Sequence, residues 1–176
     1  IYAWDVPSGS DGTVSATVSG TDIAGNAYTG TDSITFTIDN TAPTVTLTDT
    51  DSDNIVKDSD TVTITATFNE DMATAPTIRI GSLVTDVIMT ATSSTTWIYA
   101  FDVPSGSDRT LSATVAGTYI TSNAYTGTDS ITFTIDNTAP TVNITDTDAD
   151  NIVKDRDTVT ITATFNEDMP TEPKIR

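Results

Sequence analysis

Cysteine and histidine are both absent from the 176 residues. Without cysteine there are no disulfides and no thiolate metal sites, so each folded unit must stand on its core or on crosslinks made by hard cations. Without either residue the usual general bases and activated nucleophiles are missing, and no serine sits in a Gly-x-Ser-x-Gly elbow. Any chain with 25 acidic residues offers carboxylate pairs of the glycosidase kind. An active site has little use for near-identical duplication, however, and no enzyme is expected. Basic residues are scarce: seven Lys plus Arg stand against 25 acids, 22 of them Asp, for a net charge of −18. That balance excludes a phosphate backbone, and so nucleic acid, as a partner. Long apolar runs are missing too; none reaches the roughly 18 residues that would span a membrane. A signal peptide or anchor is expected outside these residues.

What is present is a repeat. Residues 1–79 align with 98–176 without a gap, and 65 of the 79 positions are identical, which sets a period of 97 residues. A unit of that size has room for its own core, so the pattern describes separate domains in a row. The chain lacks an initiator Met and stops at Arg176, inside a run that continues through Ile80 in the first copy; a longer parent is expected. Forty Thr and 15 Ser make up almost a third of the residues, a bias that suits exposed strand faces and an extracellular, cell-surface location.

Apolar residues alternate with Thr or Ser in most segments, the period of a strand with one dry and one wet face. In Thr61-Val62-Thr63-Ile64-Thr65-Ala66-Thr67-Phe68 every even position is apolar and every odd one is Thr. Thr44 to Thr48, Trp97 to Phe101, Thr110 to Val115 and Ser130 to Ile135 behave alike, with weaker candidates at 77–80 and 83–90 around a turn at Gly81-Ser82. About seven short strands per repeat predict an all-β chain of antiparallel sandwiches. Asn40-Thr41-Ala42-Pro43 and Asn137-Thr138-Ala139-Pro140 read as interdomain linkers, since proline cannot donate to a ladder. The chain then holds the last three strands of one domain (1–40), a complete domain (41–137) and the first three strands of a third (138–176). The expected core of the complete domain is Val45, Leu47, Val62, Ile64, Phe68, Tyr99, Phe101, Leu111, Val115, Ile131 and Phe133. Both half-domains should expose half a core, to be completed by the parent chain or by another copy.

Two phrases carry a resemblance: Ile38-Asp39-Asn40-Thr41-Ala42-Pro43-Thr44, repeated from Ile135, and Asp22-Ile23-Ala24-Gly25-Asn26. Together they resemble the bacterial immunoglobulin-like tandem repeats of giant secreted surface adhesins. The resemblance implies immunoglobulin-like sandwiches, surface display, and calcium held near the domain junctions. The second copy departs from it, reading Tyr119-Ile120-Thr121-Ser122-Asn123 without the Asp or the Gly, which removes that carboxylate from any ion site in the complete domain.

The acids suggest metal independently. From Asp49 to Asp60, and again from Asp146 to Asp157, Asp falls at positions 1, 3, 5 and 12, the oxygen spacing of a calcium loop. Position 12 is not Glu, position 6 is Asn, and strands flank the loop, so it is no EF-hand; the competing reading is a solvated acidic turn. Strand direction places this loop at the end of the domain where the last strand leaves. The candidate calcium ligands are therefore Asp39, Asn40, Asp49, Asp51, Asp53, Asp60, Asp102, Asp136, Asn137, Asp146, Asp148 and Asp150. Thr61, Thr63, Thr65 and Thr67 form no ice-binding lattice on a twisted sheet. A Lys57 to Asn69 crosslink helped by Glu70 is weaker than a reading of Lys57 as a counter-charge. The expected function is a structural stalk or spacer repeat of a microbial adhesin or surface filament, with neighbouring repeats, and other copies of the chain, as partners and any glycan or cell-surface ligand bound at a tip outside these residues. The alternative is a glycan-binding repeat using Trp97, Tyr99, Phe101, Tyr119 and Tyr125.

Overall fold

The computed structural model describes residues 1–176 except Pro7, Ser10, Ser107, Thr121 and Ser122. The departure at Thr121-Ser122 thus lies outside the described residues. Among those described every regular element is a strand, and the chain divides into two compact units, Ile1–Asp136 and Asn137–Arg176.

In the first unit β1 (Gly12–Thr17) and β2 (Ser33–Ile38) form an antiparallel hairpin, followed by a sandwich of nine strands. One sheet orders β4 (Ile55–Val56), β11 (Ser130–Ile135), β10 (Arg109–Ala116), β6 (Thr77–Ile80) and β7 (Val84–Ile88). The other orders β3 (Val45–Asp49), β5 (Thr61–Phe68), β9 (Thr96–Asp102) and β8 (Thr90–Ala91). Among the described residues nine strands stand where about seven were expected, for two reasons. The first strand splits: β3 pairs with β5 in one sheet, the chain crosses, and β4 joins β11 in parallel in the other. The segment between β6 and β9 then supplies an edge strand to each sheet, β7 and β8.

The Thr-apolar alternation fixes which face of β5 is dry. Val62, Ile64, Ala66 and Phe68 are buried, while Thr61 and Thr67 are exposed. Opposite them the same alternation buries Leu111, Ala113 and Val115 on β10, and Phe133 and Ile135 on β11. Of the expected core, Leu47, Tyr99 and Ile131 are only partly buried, packed at its margin. Ile78, Ile80, Val84 and Met89 join it from the segment whose alternation is weakest, where the register shifts between Ile78 and Ile80. The turn at Gly81 requires glycine: φ is +49°, and a Cβ there would come within 2.6 Å of Leu111 Cδ2.

The second unit contains one antiparallel pair, β12 (Val142–Asp146) and β13 (Ile161–Phe165), whose register, Val142 opposite Phe165, repeats that of Val45 opposite Phe68. Ile144 and Ile161 are 64% and 49% exposed there. Phe36 of the β1–β2 hairpin is 45% exposed where its counterpart Phe133 is fully covered.

Candidate functional site

The segment joining the β1–β2 hairpin to the sandwich is short, and its polar groups are satisfied from both sides. Asp39 accepts from Thr41 N at 3.0 Å, a local turn that sets the direction of entry. From the preceding half-repeat, Asp11 accepts Asn40 N at 2.6 Å on one oxygen and the Thr41 hydroxyl on the other. The Thr41 hydroxyl first, and the Asn40 amide second, hold the Asp11 carboxyl below its ordinary value. From the sandwich, Asn123 Nδ2 donates to Asp39 O at 3.1 Å and to Thr41 O at 3.0 Å. Pro43 is buried, and Thr44 donates to Asn69 Oδ1 at 2.7 Å while its carbonyl accepts from Asn69 N. The same Asn brace joins Thr141 to Asn166 in the next copy.

Comparison of the two equivalent turns explains how Asn123 became available. In the first copy Asn26 is closed on its own turn, donating its N–H and its Nδ2 to the two oxygens of Asp22 at 2.8 and 2.9 Å. In the complete domain Tyr119 replaces Asp22. One main-chain bond is kept, with Tyr119 N donating to Asn123 O at 2.9 Å just as Asp22 N donates to Asn26 O. Without the Asp22 carboxylate, the Asn123 side-chain amide reaches the linker instead. Tyr119 packs beside it, and burial, then the charges of Glu70, Asp39 and Asp71, push its hydroxyl above the ordinary value.

The acidic loop lies at the other end of the sandwich. Asp136 N donates to Val56 O, which brings the end of β11 beside the Asp49–Asp60 loop. Inside that loop Asp49 accepts from Asp51 N, Asp53 from Ile55 N, and Asn54 adopts a φ of 59°. Asp146, Asp150 and Asn151 repeat these features in the second unit. Asp60 takes Lys57 N and Nζ at 2.9 and 2.7 Å, and Asp102 accepts from the Thr61 hydroxyl across the ladder. One oxygen is left over in each copy: Asp51 Oδ2 and Asp148 Oδ2 are buried without a partner. Among the described residues no three Asp or Glu side chains gather closely enough to hold one ion. A cation at Asp51 would therefore draw most of its shell from carbonyls, Asn side chains and water. Asp39 and Asn40 sit at the opposite end, in the linker, and Asn137 belongs to the second unit.

Lys57 and Asn69 occupy opposite ends of the eight-residue strand β5, so no crosslink joins them. The candidate glycan aromatics are engaged elsewhere: Phe101 is buried, Trp97 and Tyr99 pack against the core, and Tyr125 stands edge-on to Phe68 with its hydroxyl on Asp129. Sequence reasoning missed Asp11 and Asn123. Asp11 recurs as Asp108, but its partners are 29 and 30 residues away, and the altered turn at Asn123 registered only as a loss.

No curated protein and no solved structure matches the chain. The family model for the bacterial Ig-like domain (group 3) matches residues 1–104 and again 95–175. Such domains are structural repeat modules, common in extracellular or surface proteins. With the motifs, the two-sheet sandwich and the repeat all in agreement, this chain belongs to the bacterial Ig-like domain (group 3) family.

Proposed function

We propose that the chain is a spacer: a stretch of a surface adhesin stalk or filament whose repeats hold a binding tip away from the cell. The observation that carries this reading is the linker, gripped by Asp11 from one repeat and by Asn123 and Asn69 from the next. A stalk needs its joints defined and its surface uncommitted. The complete domain fits that need, because the side chains a glycan platform would use are taken up by its core and its joint.

Calcium stiffening belongs to the same reading, supported by the net charge of −18 and by the buried, partnerless Asp oxygen that recurs in both acidic loops. Unit charges about 4 Å apart repel by roughly 1 kcal/mol even in water, and a divalent cation taking oxygen ligands reverses that sign. Calorimetric titration of the chain with calcium tests this part. Binding heat at millimolar calcium that Asp51→Asn diminishes is expected; no heat would leave the acids as a solvated surface. A glycan array tests the spacer itself, for which no specific binding is expected, whereas a reproducible glycan hit abolished at Tyr119 or Tyr125 would replace it.

A further inference from the structure

We propose that Asp11-Gly12 is a site of spontaneous isomerisation to isoaspartate, that the contacts Asp11 makes on the linker hold the reaction off, and that the reaction unfastens the linker. The inference rests on the geometry of the joint and not on the spacer reading. Asp11-Gly12 is the only place among the 176 residues where Asp or Asn precedes Gly. An Asp side chain can close on the main-chain nitrogen of the next residue, and glycine there puts no Cβ in the way. The fold does not require glycine at this position. Gly12 opens β1 opposite Ile38, and at the same register of the complete domain Arg109 stands opposite Ile135. Solvent access does not depend on the open half-repeat either, since the counterpart Asp108 is exposed in the complete sandwich.

The reaction needs water and no other reactant. Gly12 N attacks Asp11 Cγ, a C–N bond forms, and one carboxyl oxygen leaves as water with the carboxyl and amide protons, giving a five-membered imide. Water then opens the ring at either carbonyl. Attack at Cγ restores Asp11; attack at the former main-chain carbonyl leaves the chain running through Cγ, with the carboxylate on Cα. The net charge is unchanged. The main chain has gained one atom, and the carboxylate has lost one carbon of reach.

In the native chain both oxygens of Asp11 are taken. One accepts Asn40 N at 2.6 Å and the other the Thr41 hydroxyl, from donors 29 and 30 residues along the chain. Ring closure has to break both contacts. The same donors hold the carboxyl below its ordinary value, and an ionised carboxyl cannot shed its oxygen as water. Once formed, isoaspartate does not restore the clamp, because a shortened carboxylate on a lengthened main chain does not reach both donors. The linker then keeps its holds on Asn123 and Asn69 and loses those from the preceding half-repeat.

Ageing the 176-residue chain in neutral buffer made with heavy-oxygen water tests this, because each opening of the imide leaves one heavy oxygen in the residue. Digestion at mildly acid pH and mass spectrometry with electron-transfer fragmentation locate both the label and the isoaspartate. In urea, residue 11 should label well ahead of Asp108, and Gly12→Arg should bring it down to the Asp108 rate. The native chain should label residue 11 at least about tenfold more slowly than the unfolded chain. Thr41→Val, with its sandwich shown intact by circular dichroism, should recover about tenfold, the worth of one hydrogen bond to a charged group. Amide exchange at Asn40, slow in the parent, should become fast in the isoaspartyl fraction. Residue 11 labelling no faster than Asp108 in urea overturns the site. A native rate equal to the unfolded one, or a Thr41→Val rate equal to the parent's, overturns the guard, and unchanged exchange at Asn40 overturns the unfastening.

Discussion

Phe36 and Phe133 are the same residue of the repeat, 97 positions apart, yet one is 45% exposed and the other fully covered. Replacing each by Ala therefore measures the closed core against an internal reference. At Phe133 the loss combines about 1.5–3 kcal/mol of transfer free energy with a cavity left in a close-packed cluster, for about 3–5 kcal/mol in all. For a domain of this size each kcal/mol moves the midpoint by roughly 4–8 °C, so Phe133→Ala should lower the sandwich transition by at least about 12 °C. At Phe36 the ring already meets water and no enclosed cavity forms, so the same transition should move by no more than a degree or two. Thermal unfolding followed by circular dichroism gives both values. Equal shifts for the two variants would refute the assignment of 41–137 as the closed repeat and 1–40 as an open half.

Three further outcomes follow from the joint and the turns. Asn123→Ala removes two contacts to the linker, each worth about 0.5–1.5 kcal/mol when made; interdomain scattering should broaden while the sandwich midpoint moves little, and an unchanged scattering profile would show that the amide does not hold the joint. Asp11 has a folded value below its unfolded one, so its cap contributes above the ordinary carboxylate range of about 3.9 and is lost as pH falls through its own lowered value; Thr41→Val should return the Asp11 carboxyl titration, followed by NMR, toward the ordinary value. Gly81→Ala should cost about 1–2 kcal/mol from the left-handed backbone alone, with Leu111 displaced as well; an urea midpoint equal to that of the parent would contradict the turn geometry.

The parts of the fold that could be read in advance were those where one period dominates. Thr61 to Phe68 alternates without a break, and its four apolar side chains are all buried. The division of the first strand was not legible, because the crossing from β3 to β4 uses the same Asp-rich residues that carry a calcium spacing, and two chemistries share one pattern. Nor was the burial of Val84 and Met89, since a register shift at Ile78 breaks the alternation that would reveal it. The linker was visible in its proline and its Asn. Its fastening was not, because Asn123 acts through a partner that the sequence places 82 residues away.

The central claim is that defined joints make the repeats an extended stalk. Small-angle scattering of arrays with two, four and six copies of the repeat tests it most directly. An eight-residue strand spans about 26 Å, so with loops each copy should add a constant increment of at least that size to the maximum dimension. Growth that falls off toward the square root of copy number, as for a flexible chain of beads, would contradict it.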